Sequence, residues 1–229
     1  MTHFWTALLK YCKLRKTSNL TAVICLTIFL AAGSIAPAST AQAPSAIASL
    51  EKLPVKGKAP KTGYERNMFS DGWGQIGNCT VRNYILKRDM KAIKFREGCT
   101  VESGQLQDPY TGKLINFKYG VGTSSAVQID HVVSLSDAWQ KGAQQIGAKA
   151  RYSLYNDPLN LLAVDGPTNS SKGDKDASAW LPPNKSYRCS FVARQVAVKI
   201  KYKLWVIQAE KDAIKRILQA CPKQLLPTS

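Results

Sequence analysis

The chain has 229 residues, with 32 Lys and Arg against 15 Asp and Glu, and 45% of its residues are apolar. A formal charge of +17 combined with that apolar content excludes a disordered polycation, and the length suits one globular domain with additions. No repeat of 20–50 residues is visible, which argues against a solenoid. The two histidines, His3 and His131, exclude a cluster of histidine metal ligands and any chemistry that needs two imidazoles.

In chain order, Lys10, Lys13, Arg15 and Lys16 precede an apolar run from about Leu20 to Ala32, and small residues follow through Ala38, Ala41 and Ala43. A basic start, an apolar centre and A-x-A-like sites describe a secretory signal peptide over residues 1–41, cleaved near 38–43. The run is short for an uncleaved anchor, which needs about 20 apolar residues. The protein is therefore expected to be secreted or held in the periplasm or cell envelope, with no stable membrane association after cleavage. Removing residues 1–43 takes away four basic residues and no acid, so 28 basic against 15 acidic residues remain, a charge of +13. His131 is then the only imidazole left.

Cys12 and Cys25 fall in the leader, and Cys79, Cys99, Cys189 and Cys221 remain. An even number in an exported chain predicts two disulfides. Three pairings are possible; the local one, Cys79–Cys99 with Cys189–Cys221, is favoured, each loop contributing about 3 kcal/mol in the chain-entropy description. A zinc site built from the four is disfavoured, since no C-x-x-C pair exists.

Residues 42–62 mix Ala, Pro, Lys and Ser without apolar periodicity and read as a flexible linker, and the folded domain is expected over 63–222. Thr80 to Leu86 suits a short helix or a strand. Asp108-Pro109-Tyr110-Thr111-Gly112 is a turn with Pro at its second position. Ala126 to Val133 is predicted as a strand, Ser136 to about Gln145 as a helix, and Leu159 to Val164 as a second strand broken by Gly166-Pro167. Thr168 or Asn169 then caps a short helix. Two further helices are expected at about 187–202 and 208–220, and the lysine run 199–203 is expected to be a solvated face.

The informative constellation is Asp130-His131, then Asn160 and Asn169, at +29 and +38 from the histidine, with Lys172 close behind. Strand, helix, strand and helix start is the order of a ββα-metal finger, here over about 126–175. Hydrolysis of a phosphodiester needs a base to take a proton from the attacking water, and a neutral imidazole suits that at pH 7. A hard divalent cation offsets the charge that builds on phosphorus and on the leaving oxygen. Mg²⁺ accepts one carboxylate and one amide oxygen and keeps its remaining waters, so Asp130 and Asn169 suffice as ligands. Mn²⁺ or another divalent ion suits the same donors. Adjacent residues on a strand point to opposite faces, so Asp130 and His131 can share one substrate only at a strand end or a distortion.

Ile129-Asp130-His131-Val132-Val133, Asn160-Leu161-Leu162 and Asn169-Ser170-Ser171-Lys172-Gly173-Asp174 resemble the HNH endonuclease superfamily. More narrowly, the chain resembles the secreted HNH endonucleases that share a domain with the C-terminal part of GmrSD-type restriction enzymes. The similarity runs from Tyr64 to Cys221 and includes Arg66, Phe69, Trp73, Arg82, the 108–112 turn, Trp139, Trp180 and Glu210. It implies an α+β fold, a ββα-metal core wrapped by helices and held by two disulfides. It also implies His131 as general base, Asp130 and Asn169 as metal ligands, and Asn160 as the residue that orients the histidine. Two departures stand out: Gln128 where related sites often carry an acid, and Ser134 where many relatives carry Pro.

Lys172 and Arg82 are candidates for contacts to substrate phosphate. Trp73, Trp139 and Trp180 are expected in the core rather than as base-stacking platforms. A +13 chain draws polyanions in a salt-dependent way. No base-reading motif is visible, so the expected partner is nucleic acid, DNA with RNA also open, bound with weak sequence selectivity. The alternative is a non-catalytic basic envelope protein that binds nucleic acid or other polyanions through charge alone.

Overall fold

A computed structural model describes residues 43–228; the expected leader lies outside the described residues. In chain order the elements are α1 (Ala46–Leu50), a 3₁₀ turn (Arg66–Met68), β1 (Gln75–Ile76), β2 (Cys79–Thr80), α2 (Val81–Asp89), β3 (Met90–Phe95), β4 (Val101–Gln107) and β5 (Leu114–Lys118). There follow β6 (Val127–His131), α3 (Leu135–Ala138) continued by a π turn (Trp139–Ala143), α4 (Ala148–Asn156), β7 (Leu161–Asp165), α5 (Gly166–Lys172), α6 (Arg188–Lys201) and α7 (Gln208–Gln219).

The centre is a two-stranded antiparallel ribbon followed directly by a helix. β6 pairs with β7 in the register Val127↔Asp165 to His131↔Leu161, and α5 starts on the next residue. The Asp165 side chain accepts from the Thr168 amide at 2.8 Å, and Pro167 sits in the first turn, where its missing N–H costs nothing. Gly166 is required at this corner: a Cβ there would lie 2.1 Å from the Ser125 carbonyl oxygen. The chain is thus α+β, with a ββα core, and helices wrap it.

β7 is apolar on both sides because both are covered. On one side Val127, Ile129, Leu161 and Ala163 pack with Val81, Ile85, Leu86, Val101, Leu106 and Phe117, from α2 and the antiparallel sheet β3-β4-β5. On the other, Val132, Leu162 and Val164 pack with Leu50, Tyr110, Phe191, Val196, Ile214 and Leu218, largely from α1, α6 and α7. A third cluster around Phe69, Trp139, Leu154 and Leu204 seats α3 and α4. α2 is a helix because Thr80 caps it, accepting from the Asn83 amide. The disulfides are Cys79–Cys99, which ties β2 to the β3–β4 turn, and Cys189–Cys221, which joins the start of α6 to the end of α7.

Two expectations are corrected here. Residues 43–62, expected as part of a flexible linker, form a strap: Ala46, Leu50 and Leu53 are buried, the Ala46 amide donates to the Gln224 carbonyl, and the Lys56 and Ala59 amides donate to the carbonyls of Val206 and Gln140. Their spacing, i, i+4, i+7, is a helical stripe too short to stand out among Ala, Pro and Lys. The run 199–203 is not uniformly solvated either. Lys199 is fully buried, because it faces acids contributed by α3 and α7, whereas Lys201 and Lys203 are exposed. No helix among the described residues is long and apolar enough to cross a membrane.

Candidate active site

His131 ends β6 and points to the side of the ribbon that carries Trp73 and Tyr155. Its ring stacks on Trp73 at 5.8 Å between centroids and 8° between planes, and lies 4.8 Å from the Tyr155 ring. Nε2 is 2.9 Å from the Tyr155 carbonyl oxygen. A carbonyl only accepts, so Nε2 carries the proton and Nδ1 keeps a lone pair. Burial is the main cause that pulls the imidazole down from 6.5 to about 4; the Tyr155 bond and Asp130 oppose it, and Arg66 and Lys172 add to it. The ring is therefore neutral at pH 7 and held in one tautomer, the state a general base requires.

Asp130 points to the opposite side of the ribbon, as strand geometry demands. One carboxylate oxygen accepts from the Tyr110 hydroxyl at 2.5 Å, the other from Lys172 Nζ at 2.9 Å. Tyr110 is buried between Trp180 and Phe191, and burial and then the Asp130 charge push its phenol well above its ordinary range, so it stays a donor. Lys172, the last residue of α5, also donates to the His131 carbonyl at 2.9 Å. One ammonium therefore ties α5 to both candidate residues at the end of β6.

Asn169 lies on α5, half-buried, and its Nδ2 donates to Gln128 Oε1 at 2.8 Å. This turns the amide oxygen away from Gln128. Asn160 does not bond the imidazole. Its Oδ1 accepts from the Val133 amide at 2.8 Å, its Nδ2 donates to the carbonyls of Val133 and Leu154 at 3.2 and 3.4 Å, and its own carbonyl accepts from the Val132 amide. It pins the chain leaving His131 to the end of α4, one residue before the carbonyl that holds the ring. Any orientation it exerts passes through the backbone.

A polar cleft of about 270 Å³ is lined by Arg66, Gln128, Asp130, His131, Ser134 and Asn169, with Ile129, Leu135 and Gly173 completing it. The ribbon and α5 thus bring Asp130, His131 and Asn169 to one opening although their side chains leave the backbone in different directions. Lys172 and Arg82 are not brought there as surface contacts. Lys172 is fully buried and donates to Asp130 and to the His131 carbonyl, and the half-buried Arg82 turns inward to the Val127 carbonyl. Arg66 and Ser134 were given no role from the sequence; Arg66 lies more than sixty residues before the histidine. The Tyr155 carbonyl carries no sequence signal at all, since any residue supplies one.

Among the described residues no group of three or more His, Cys, Asp or Glu lies together as a metal cage. The donors in the cleft are a carboxylate and an amide oxygen. Each Asp130 oxygen has acceptor capacity beyond the single bond it makes, and the cleft has room for several waters at about 30 Å³ each. This set fits a hard cation that keeps part of its water shell.

The family model of GmrSD restriction endonucleases, C-terminal domain, matches residues 77–217. An uncharacterized secreted protein of Arthroderma benhamiae is 36% identical over 190 residues, 82% of this chain and 88% of the relative. No solved structure matches the chain significantly.

Proposed function

From a chain that belongs to the family of GmrSD restriction endonuclease C-terminal domains, we propose an exported, metal-dependent HNH endonuclease that hydrolyses DNA, with RNA as a second substrate class. The observation that carries this reading is the neutral His131, its Nε2 engaged by the Tyr155 carbonyl and its Nδ1 available, in one cleft with Asp130 and Asn169.

In this mechanism His131 Nδ1 accepts a proton from water as the oxygen attacks phosphorus. The Tyr155 carbonyl and the Trp73 face keep the ring from turning while it gains the proton, and Asp130, on the far side of the strand, favours the imidazolium that forms. Asp130 and Asn169 would hold a divalent ion, which supplies positive charge for the phosphorane and for the departing alkoxide. Gln128 fixes the Asn169 amide, and Asn160 fixes the backbone that leaves the base and the end of α4. Two disulfides and a relative described as secreted support export.

Plasmid nicking in Mg²⁺ tests the reading. His131→Ala should lower the rate about 10²–10⁴-fold, and EDTA should stop the wild type. Binding that is sensitive to salt but accompanied by no cutting, with or without chelator, would point instead to the polyanion-binding alternative that the +13 charge allows.

A further inference from the structure

We propose that Arg66 and Ser134 form the seat for the non-bridging oxygens of the substrate phosphodiester, an inference that rests on the endonuclease reading and adds the phosphate subsite to it. Both side chains line the cleft beside His131. The charge of Asp130 there is balanced by the buried ammonium of Lys172, so Arg66 leaves the opening with a surplus of positive charge.

Arg66 is exposed and, among the described residues, forms no ion pair. Its guanidinium lies over the Tyr155 ring at 5.2 Å, and one of its nitrogens is 3.4 Å from the Tyr155 hydroxyl. The carbonyl of the same tyrosine holds His131. A single residue therefore spaces the cation from the base. This contact holds the guanidinium against the tyrosine and leaves donors for a planar fork on phosphate.

Ser134 supplies the independent observation. Its Oγ is buried, finds no hydrogen-bond partner among the described residues and does not cap α3, although Ser134 is that helix's N-cap residue. A buried hydroxyl without a partner costs about 1–3 kcal/mol, a cost that a ligand oxygen accepting its proton would remove. It lies three residues after His131 and lines the same cleft, where a phosphate oxygen would accept its proton. Arg66 precedes the segment that the family model matches, so the seat is assembled from the matched domain and the region before it.

The experiment combines steady-state cleavage in Mg²⁺, thermal unfolding, and binding of a fluorescein-labelled DNA duplex in EDTA. Arg66→Ala should lower kcat/KM about a hundredfold, and Arg66→Lys should recover only part of it, because a point charge does not fork. Ser134→Ala should lower kcat/KM about tenfold while unfolding at the same or a higher temperature, since it removes an unsatisfied hydroxyl. Cleavage at the wild-type rate by Arg66→Ala and Ser134→Ala overturns the seat, and so does a Ser134→Ala loss that merely follows reduced stability. If the wild type cuts nothing in any divalent metal, the endonuclease reading fails and duplex binding decides the seat. A loss of affinity for both variants beyond that of Lys185→Ala, an exposed cation outside the cleft, upholds it. Equal losses overturn it.

Discussion

The molecule buries lysine in two places, and the two differ in what they leave unfinished. Behind α3 and α7, Lys141 Nζ lies 2.6 Å from Asp137, 2.7 Å from Asp176 and 2.7 Å from Glu210, and Lys199 Nζ lies 3.0 Å from Glu210 and 3.5 Å from Asp137. Lys58 of the strap reaches Asp176 at 4.0 Å, so three ammoniums meet three carboxylates. Burial alone would raise the Asp176 carboxyl, but hydrogen bonds from Lys141 and Ser178 outweigh it and hold the group at about 2. Charge is closed within the cluster, although Asp137 Oδ1 and Glu210 Oε1 meet their ammoniums out of line for a hydrogen bond. At the cleft, one lysine serves one carboxylate and one backbone carbonyl, and Asp130, His131 and Asn169 line an opening. The same residue type thus closes the interior in one place and stands behind an open cleft in the other.

The largest effect expected is on stability. Lys141→Ala leaves three carboxylates around one remaining buried ammonium and should cost about 3–5 kcal/mol, read by urea unfolding. Cleavage per folded molecule should stay within about twofold of wild type, because the cluster does not reach the cleft; a selective loss of cleavage would tie the cluster to the cleft and contradict the separation of the two regions. Lys172→Met should cost about 3 kcal/mol as well, but with cleavage down at least about tenfold in molecules that remain folded. Wild-type cutting by that variant would place Lys172 with the purely structural lysines.

Acid separates the two regions further. The folded His131 titrates at about 4 against 6.5 when unfolded, so as pH falls from 6.5 to 4 the unfolded chain takes up the proton first and stability is lost, on the order of 3 kcal/mol. The folded Asp176 carboxyl at about 2, against its ordinary 3.8, contributes stability above 3.8 that disappears as pH falls from 3.8 to 2. Unfolding measured across pH should therefore weaken in two windows, and His131→Ala should remove only the upper one. The smallest effect is expected from Gln128→Glu. It keeps an acceptor for Asn169 and adds a negative charge beside the cleft, so half-saturation should occur at about threefold lower Mn²⁺, with the rate at saturating metal little changed.

The ribbon and α5 were legible because β-rich stretches stopped at Gly166-Pro167, although the cap, expected at Thr168 or Asn169, is Asp165. The sheet β3-β4-β5 was not, since Lys91-Ala92-Ile93-Lys94 and Ser103-Gly104-Gln105 hold few β-branched residues; tertiary cover on one face makes them strands. His131, Asp130 and Asn169 were singled out by order and spacing, and the fold brings the three to one cleft. The burial of Lys172 and Lys199 was not legible for one reason: a lysine in a string of letters looks solvated, and only acids supplied by distant elements bury it. Arg66 and Ser134 were invisible as a pair because 68 positions separate them and only the fold closes that gap.

The chain has two imidazoles, His3 and His131, which makes one measurement decisive. ¹⁵N NMR of the histidine rings, assigned by His131→Ala and followed against pH, reports both tautomer and titration. The account predicts that His131 is protonated at Nε2, leaves Nδ1 bare, and stays neutral until about pH 4. A ring protonated at Nδ1, or one that titrates near 6.5 like an exposed imidazole, would contradict it.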